Sequence, residues 1–263
     1  MSRRKNFKRG LVIADFHSGH EIGVTPPNWD ALRGNEHHRE LYGVRRYNWD
    51  WLDARVKAYQ PFDFTILNGD LIDGKGERSG GTEQLYMDRD DQVEMAVDIL
   101  KRWKLGDIFM AYGTPYHTGT MEDWERDIAK GIEAVKIGSE DNINVNSCVI
   151  NYKHYIGRSS VPHGRHTAIA KENLWNILWS ERGEYPRAHM LFRAHVHYYY
   201  HTGSADWVGI TLPAACAYGT KYGTRQVSGT VDCGFVVIEI DRKGRFKWQP
   251  ELLRFPLKAP TSV

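Results

Sequence analysis

The sequence has few cysteines, no long apolar run and little excess of charge, and each absence excludes a class of protein. Its three cysteines among 263 residues, Cys148, Cys216 and Cys233, are far apart and lack C-x-x-C spacing. This pattern excludes a disulfide framework and a zinc finger, so we expect reduced core residues. The longest apolar runs fall short of the ~20 residues that cross a bilayer, so no membrane association is expected.

The chain also lacks an internal repeat, a low-complexity segment and a recognisable linker, which predicts a single domain over residues 1–263. Residues 1–9 form a basic tail without the apolar segment of a signal peptide, so we expect a cytoplasmic protein. The net charge of +2 does not by itself indicate a nucleic-acid binder. No feature of the sequence indicates a protein partner.

The order of predicted elements indicates the fold class. Short apolar runs predict strands, and segments with apolar residues at helical spacing lie between the first of them, whereas strands dominate the last third of the chain. This order predicts an α/β fold in which two mixed β-sheets pack as a sandwich flanked by helices. The polar segments 18–42 and 77–92 are predicted insert loops that cover a site.

Five short segments rich in aspartate, glycine and histidine carry the chemistry. Most of them follow a predicted strand, so their polar side chains are expected at strand ends, where α/β folds place their sites. The segments are Asp15-Phe16-His17, Gly69-Asp70-Leu71-Ile72-Asp73, Gly113-Thr114-Pro115-Tyr116-His117, His163-Gly164 and His195-Val196-His197.

The spacing within these segments favours a metal site. Asp15 and His17 are separated by one residue, as are His195 and His197, so each pair can point into one cavity. Carboxylate oxygen with imidazole nitrogen suits Mn²⁺, Fe, Zn²⁺ or Ni²⁺ better than Ca²⁺. Because Asp70 follows a glycine at a sharp turn, its carboxylate could bridge two metals ~3.5–4 Å apart.

In these segments the chain resembles the calcineurin-like metallophosphoesterase family, over roughly residues 10–200. The family pattern is D-x-H, G-D-x-x-D, G-N-H-D or G-N-H-E, an isolated histidine, and G-H-x-H, in that order. The resemblance implies the four-layer metallophosphoesterase fold and two divalent cations, of which Mn²⁺ is the first expectation. It also implies a ligand set: Asp15, His17 and His197 for the first metal, Asp70 as the bridge, and His163 and His195 for the second.

The third segment departs from the family pattern, because Gly113-Thr114-Pro115-Tyr116-His117 lacks the asparagine that gives the second metal an oxygen ligand. Thr114 could supply a hydroxyl ligand instead, water could fill the position, or the second metal could bind more weakly. The G-T-P-x-H pattern resembles a variant branch of the family associated with bacteriophages and bacteria. That likeness implies that His117 is the catalytic histidine.

These residues predict a metal-dependent hydrolase of phosphate esters. A phosphodiesterase acting on nucleotides or nucleic acid is favoured over a phosphomonoesterase, because aromatic and basic residues suit bases and phosphates. The expected substrate contacts are Tyr116, Tyr198, Lys221 and Tyr222. The alternative from another class is a binding module with a weakened second metal site.

Overall fold

A computed structural model describes residues 6–30, 36–119, 121–159, 161–220 and 230–256. In this part of the chain there are eleven strands and six α-helices. The strands are β1 (Phe7–Ile13), β2 (Phe64–Asn68), β3 (Asp107–Ala111), β4 (Lys136–Gly138), β5 (Glu140–Val145), β6 (Cys148–Lys153), β7 (Met190–Arg193), β8 (Tyr200–Gly203), β9 (Val208–Thr211), β10 (Cys233–Asp241) and β11 (Phe246–Leu253). The helices are α1 (Glu36–Glu40), α2 (Tyr42–Tyr59), α3 (Arg89–Lys101), α4 (Pro115–Thr118), α5 (Trp124–Gly131) and α6 (Arg165–Glu181).

The strands form two mixed sheets. The first has six strands in the order β11-β10-β1-β2-β3-β4. Strands β1 to β4 are parallel to one another, and β10 is antiparallel to both of its neighbours, β1 and β11. The second has five strands in the order β5-β6-β7-β9-β8, in which β6, β7 and β9 are parallel. Strands buried on both faces need a largely apolar sequence. All five residues of β2 are buried, and three of them, Phe64, Ile66 and Leu67, are apolar.

Alternation along β1 shows how the layers are built. Leu11 and Ile13 point to one face, where they pack with residues of α2, α3 and α5. Val12 points to the opposite face and packs with residues of the second sheet such as Ile150 and Ile210. Helix α6 covers the outer face of the second sheet through Ile169. The predicted α/β fold, two mixed sheets packed face to face and flanked by helices, is confirmed.

Two segments differ from what their sequences predict. Residues 143–150 and 152–156 have the pattern of paired strands joined around Asn151, but the hairpin between β5 and β6 turns at Asn146 and Ser147, which both have positive φ. Asn151 lies inside β6, where its amide donates hydrogen bonds to Glu140 and Asn142. Residues 121–137 have the apolar spacing of one helix, but α5 ends at Gly131 and the chain then enters β4.

The segments predicted as insert loops lie against each other beside the first sheet. Residues 18–30 are largely buried, and isolated bridges join Ser18 to Ile72 and His20 to Gln84. The second segment contains a short 3₁₀-helix, Glu77–Ser79, and leads into α3. No helix in the described residues is long and apolar enough to span a lipid bilayer.

Candidate metal centre

The ends of the parallel strands bring the predicted ligands together at one edge of the sandwich. Asp15 follows β1, Asp70 follows β2, and Thr114 follows β3. The backbone N–H of Asp15 donates to the Gly69 carbonyl at 3.0 Å, so the loops after β1 and β2 are joined directly. Five of the predicted ligands have a φ between 45° and 69°: Asp15, His17, Asp70, His195 and His197. Such left-handed conformations are costly for non-glycine residues and cluster at functional sites.

One group of potential ligands consists of His17, His197 and Cys216, and the carboxylate of Asp15 lies beside both histidines. Nε2 of His17 lies 3.3 Å from Nε2 of His197, which in turn lies 3.1 Å from Oδ1 of Asp15. The thiol of Cys216 belongs to the same group, with its Sγ within 4.8 Å of a ring nitrogen of each histidine. Carboxylate, imidazole and thiol within this span can hold one divalent cation.

The carboxylate of Asp15 shows why a cation suits this group. Asp15 is completely buried, and neither of its oxygens accepts a hydrogen bond with acceptable geometry. Burial acts to raise its pKa, but the charges of His197 and His154 outweigh burial and lower it. An ionised, buried carboxylate is stable only beside positive charge, which a metal ion provides.

A second group consists of Asp70, His154 and His195. Nε2 of His154 lies 3.0 Å from Oδ2 of Asp70, and its Nδ1 donates to the Asn68 carbonyl at 2.6 Å. That second contact fixes the ring with Nε2 toward Asp70, as in most metal-binding histidines. Burial acts to lower the pKa of His154, yet the Asp70 carboxylate raises it to about 10. Since a ligating imidazole must be neutral, metal binding here would release a proton.

Asp70 belongs to more than one group of potential ligands. It is also in a third group with His17 and His117, and the backbone N–H of Thr114 donates to its Oδ1 at 2.7 Å. Burial acts to raise the pKa of Asp70, but the surrounding histidines hold it well below its usual range. The geometry therefore places one ionised carboxylate between the His17 and His154 sides of the site.

The chain resembles solved structures while sharing little sequence with them. No protein-family model matches it, and no curated protein matches its sequence. An archaeal phosphodiesterase is 10% identical with a TM-score of 0.46, covering 92% of this chain and 99% of that chain. Zinc-complexed Vps29 from Entamoeba histolytica is 16% identical with a TM-score of 0.43, over 93% of this chain and 98% of that chain. A predicted phosphoesterase from Streptococcus pneumoniae is 11% identical with a TM-score of 0.38, over 93% and 98% respectively.

The structure differs from the sequence interpretation at the isolated histidine. His163 lies on an exposed 3₁₀-helix, Pro162–Gly164, and none of the potential ligand groups in the described residues contains it. His154 occupies the corresponding place, because it follows β6 and β6 runs parallel to β7, which leads to His195. The sequence pattern predicts a strand over residues 152–156, which would place His154 inside it, whereas the observed strand ends at Lys153 and leaves His154 at the strand end.

Of the expected substrate contacts, one lines the cavity and another is buried away from it. Tyr116 lines a cavity of about 310 Å³ together with His17, His117, His195, His197 and Cys216. Tyr198 is only 2% exposed and packs against Ile169 and Leu191 under α6, so it cannot reach a substrate. This prediction was wrong, because the Tyr198 ring packs in the apolar cluster that α6 covers. Lys221 and Tyr222 lie outside the described residues.

The third segment forms the single turn α4, which returns His117 to the site. Nδ1 of His117 donates to the Asp73 carbonyl at 2.6 Å, and its Nε2 lies 4.0 Å from Oδ2 of Asp70. The hydroxyl of Thr114 donates to the Asp70 carboxylate at 3.3 Å. A Cβ atom on Gly113 would lie 2.0 Å from Oδ1 of Asp70, so only glycine permits this approach.

Sequence reasoning missed two further residues. Arg158 is the arginine among the described residues that line the cavity. Glu125 is completely buried, and its two carboxylate oxygens accept the backbone N–H groups of Leu71 at 3.0 Å and Gly113 at 2.7 Å. Glu125 therefore holds the second and third segments together. Its position in a polar helical stretch, Met121-Glu122-Asp123-Trp124-Glu125, carries no signal of burial.

The environment of Glu125 generates a pH prediction. Burial and then the Asp70 charge raise its pKa to about 7 from a model-peptide value of 4.5. Between these two pKa values the Glu125 carboxyl is protonated more in the folded protein than in the unfolded chain. Its contribution to the free energy of unfolding therefore falls as the pH rises from the lower value to the higher one. The free energy of unfolding of wild type minus that of Glu125→Gln is expected to fall by about 1–3 kcal/mol between about pH 5 and about pH 8.

Urea unfolding of metal-free protein at the two pH values measures this difference. Glu122→Gln is the matched control, because Glu122 is nearby but about half exposed. Its difference from wild type is expected to stay constant. If the free-energy difference between wild type and Glu125→Gln is also the same at both pH values, Glu125 does not have a raised pKa in the folded protein.

Proposed function

We propose that the chain is a metal-dependent phosphoesterase with two divalent cations. The observation that carries this proposal is the sharing of Asp70 between histidine groups at the wall of one cavity. Asp15, His17 and His197 would hold the first cation, His154 and His195 the second, and Asp70 would bridge them. Such cations neutralise phosphoryl oxygens and lower the pKa of a water molecule.

The protein's own residues support the remaining steps of phosphate-ester hydrolysis. The hydrogen bond from Nδ1 of His117 to the Asp73 carbonyl orients Nε2 toward Asp70, where a leaving oxygen would lie beside the cations. When protonated on Nε2, His117 can donate a proton to that oxygen. Arg158 on the cavity wall can pair with a phosphoryl oxygen. This mechanism requires no serine or cysteine nucleophile.

A phosphodiester substrate is favoured over a monoester. The cavity of about 310 Å³ extends past the histidines to Tyr116 and Tyr218, so a second ester substituent has room beside the phosphorus. The exposed ring of Tyr155 lies 5.0 Å from the ring of His195 and offers a further aromatic surface beside the site. Aromatic faces beside a phosphate site suit nucleotides, which is the substrate class we infer.

The test is hydrolysis of a chromogenic phosphodiester and a chromogenic monoester by chelated protein, before and after addition of Mn²⁺. Activity is expected only with metal and higher on the diester, and Asp70→Asn should abolish it. Higher activity on the monoester would favour a phosphatase at the same site. Bound metal without turnover of either ester would refute the enzyme and favour a binding module.

Comparison of His154 with His163 tests the ligand set. His154→Ala removes a proposed ligand of the second cation, and the expected loss of activity is at least about 100-fold, beyond the 10–100-fold typical of residues that only support ligands. His163→Ala is the matched control, because His163 is exposed and distant from the ligand groups, and it should keep wild-type activity. Metal content per chain, measured by elemental analysis, should fall from two to one in His154→Ala alone. The reverse pattern would restore His163 as the ligand.

Thr114 tests how the third segment works without its asparagine. The Thr114 hydroxyl donates to Asp70 and lies beside the second group, so Thr114→Ala is expected to raise the metal concentration needed for half-maximal activity by about tenfold, as for a residue that supports a ligand. Thr114→Ser retains a hydroxyl and should stay near wild type. If metal titrations of Thr114→Ala and wild type coincide, the hydroxyl plays no part in metal binding.

A further inference from the structure

Cys216 lies among the residues of the first metal position, although the family pattern contains no such residue. It follows β9 in an irregular segment and is 3% exposed. Its Sγ is within 4.8 Å of a ring nitrogen of both His17 and His197. It also lines the same cavity as these histidines. A soft sulfur donor therefore lies where the proposed first cation would be.

The backbone holds Cys216 in this place. Its N–H donates to the Asp15 carbonyl at 2.9 Å, and the neighbouring N–H of Ala215 donates to the Ala14 carbonyl at 2.9 Å. On the other side, the amide of Asn48 donates to the Ala215 carbonyl at 3.0 Å. The segment thus runs directly beside the end of β1, and the position of the thiol follows from the same loop that positions Asp15.

The distances between the potential ligands agree with one tetrahedral cation. With bonds of about 2.0–2.3 Å, ligand atoms of a tetrahedral zinc site lie about 3.3–3.8 Å apart. Nε2 of His17 lies 3.3 Å from Nε2 of His197 and 3.8 Å from Oδ1 of Asp15. The Sγ of Cys216 lies within 4.8 Å of a ring nitrogen of each histidine and would complete a set of two nitrogens, one oxygen and one sulfur.

The other two cysteines have different surroundings. Cys148 is buried between the two sheets, among residues such as Ile150 and Met190. The thiol of Cys233 donates to Oδ1 of Asn48 and to the Cys216 carbonyl, both at 3.1 Å. These contacts explain Cys148 and Cys233 as structural residues. Among the described residues, Cys216 is the cysteine that belongs to a potential metal group.

We propose that Cys216 is a thiolate ligand of the first metal position, together with Asp15, His17 and His197. This inference rests on the proposed function, since it concerns the same metal centre. Coordination replaces the S–H bond by an S–metal bond, and the proton passes to solvent without oxidation or reduction. Because thiolate favours softer ions, the first position should select Zn²⁺, Fe²⁺ or Co²⁺ over Mn²⁺, in contrast to the Mn²⁺ expected from the sequence.

Titration of the metal-free full-length chain with Co²⁺ tests the proposal by absorption, without reference to activity. Bound Co²⁺ has visible d–d bands, and thiolate ligation adds a near-ultraviolet charge-transfer band. Wild type is expected to show both. Cys216→Ser should lose the near-ultraviolet band and keep the visible bands, whereas Cys148→Ala, as the matched control, should keep both.

The outcomes distinguish this inference from the proposed function. Visible bands without a near-ultraviolet band in wild type would overturn the thiolate ligand and leave the metal centre intact. Absence of all bands would overturn both. Circular dichroism will show whether Cys216→Ser folds, and if it does not, the wild-type spectrum still decides whether a thiolate binds the metal. Loss of the near-ultraviolet band in Cys148→Ala would show that Cys148, and not Cys216, is the thiolate ligand.

Metal selectivity gives an independent readout. The ratio of the Mn²⁺ to the Zn²⁺ dissociation constant, measured by competition with a chromophoric chelator, is expected to fall at least about tenfold in Cys216→Ser, equivalent to about 1.4 kcal/mol. Cys148→Ala should leave the ratio at the wild-type value. An equal ratio in wild type and Cys216→Ser would contradict sulfur ligation.

Discussion

The buried carboxylate of Asp70 is the group on which the site depends. Its oxygens are within 3.0 Å of the His154 ring and 2.7 Å of the Thr114 backbone N–H, and the carboxylate also faces His17 and His117. An ion with almost no exposed surface needs this surrounding of donors and positive charge, because desolvation alone would keep it neutral. Each loop at this edge of the sandwich contributes one of these partners.

The loops can supply those partners because glycine residues let side chains come very close to the backbone. Gly69 has a φ of +83°, and a Cβ there would lie 2.6 Å from the His154 ring. Behind the carboxylate, Glu125 joins the loops after β2 and β3 through two backbone N–H groups. The left-handed conformations of Asp15, His17, Asp70, His195 and His197 are maintained by this surrounding structure. The proposed ligands are therefore held in place by the fold, which would lower the ordering cost of binding a cation.

The two sides of Asp70 differ in chemistry. The His154 and His195 side offers imidazole nitrogens with the Thr114 hydroxyl nearby, which suits a borderline cation with water in its shell. The opposite side adds Cys216 to Asp15, His17 and His197 and so has a softer donor set. Two unlike metal positions beside one bridging carboxylate would let one cation be held tightly while the other exchanges, and would make the metal requirement of the protein depend on which position is filled.

Much of the centre could be predicted from local sequence. Asp15, His17 and Asp70 follow neighbouring parallel strands of the first sheet, whose ends lie side by side, and His195 and His197 follow β7 of the second sheet. The layer order could be predicted for a similar reason, since the near-continuous apolar runs in β1 and β2 require cover on both faces. These features depend on the pattern of apolar residues along a strand and on the residues that directly follow it. Both can be seen in the sequence.

Tertiary structure alone decided the residues whose role depends on distant partners. His154 and His163 are both histidines near a turn, and only the parallel pairing of β6 with β7 brings His154 beside Asp70 and leaves His163 exposed. Glu125 and Cys216 have no local pattern, because their surroundings come from loops about 12 to 200 residues away in the chain. Sequence by itself determined the reaction class we propose and most of its ligands. The fold decided which histidine completes the set, because contact between remote segments has no periodicity along the chain.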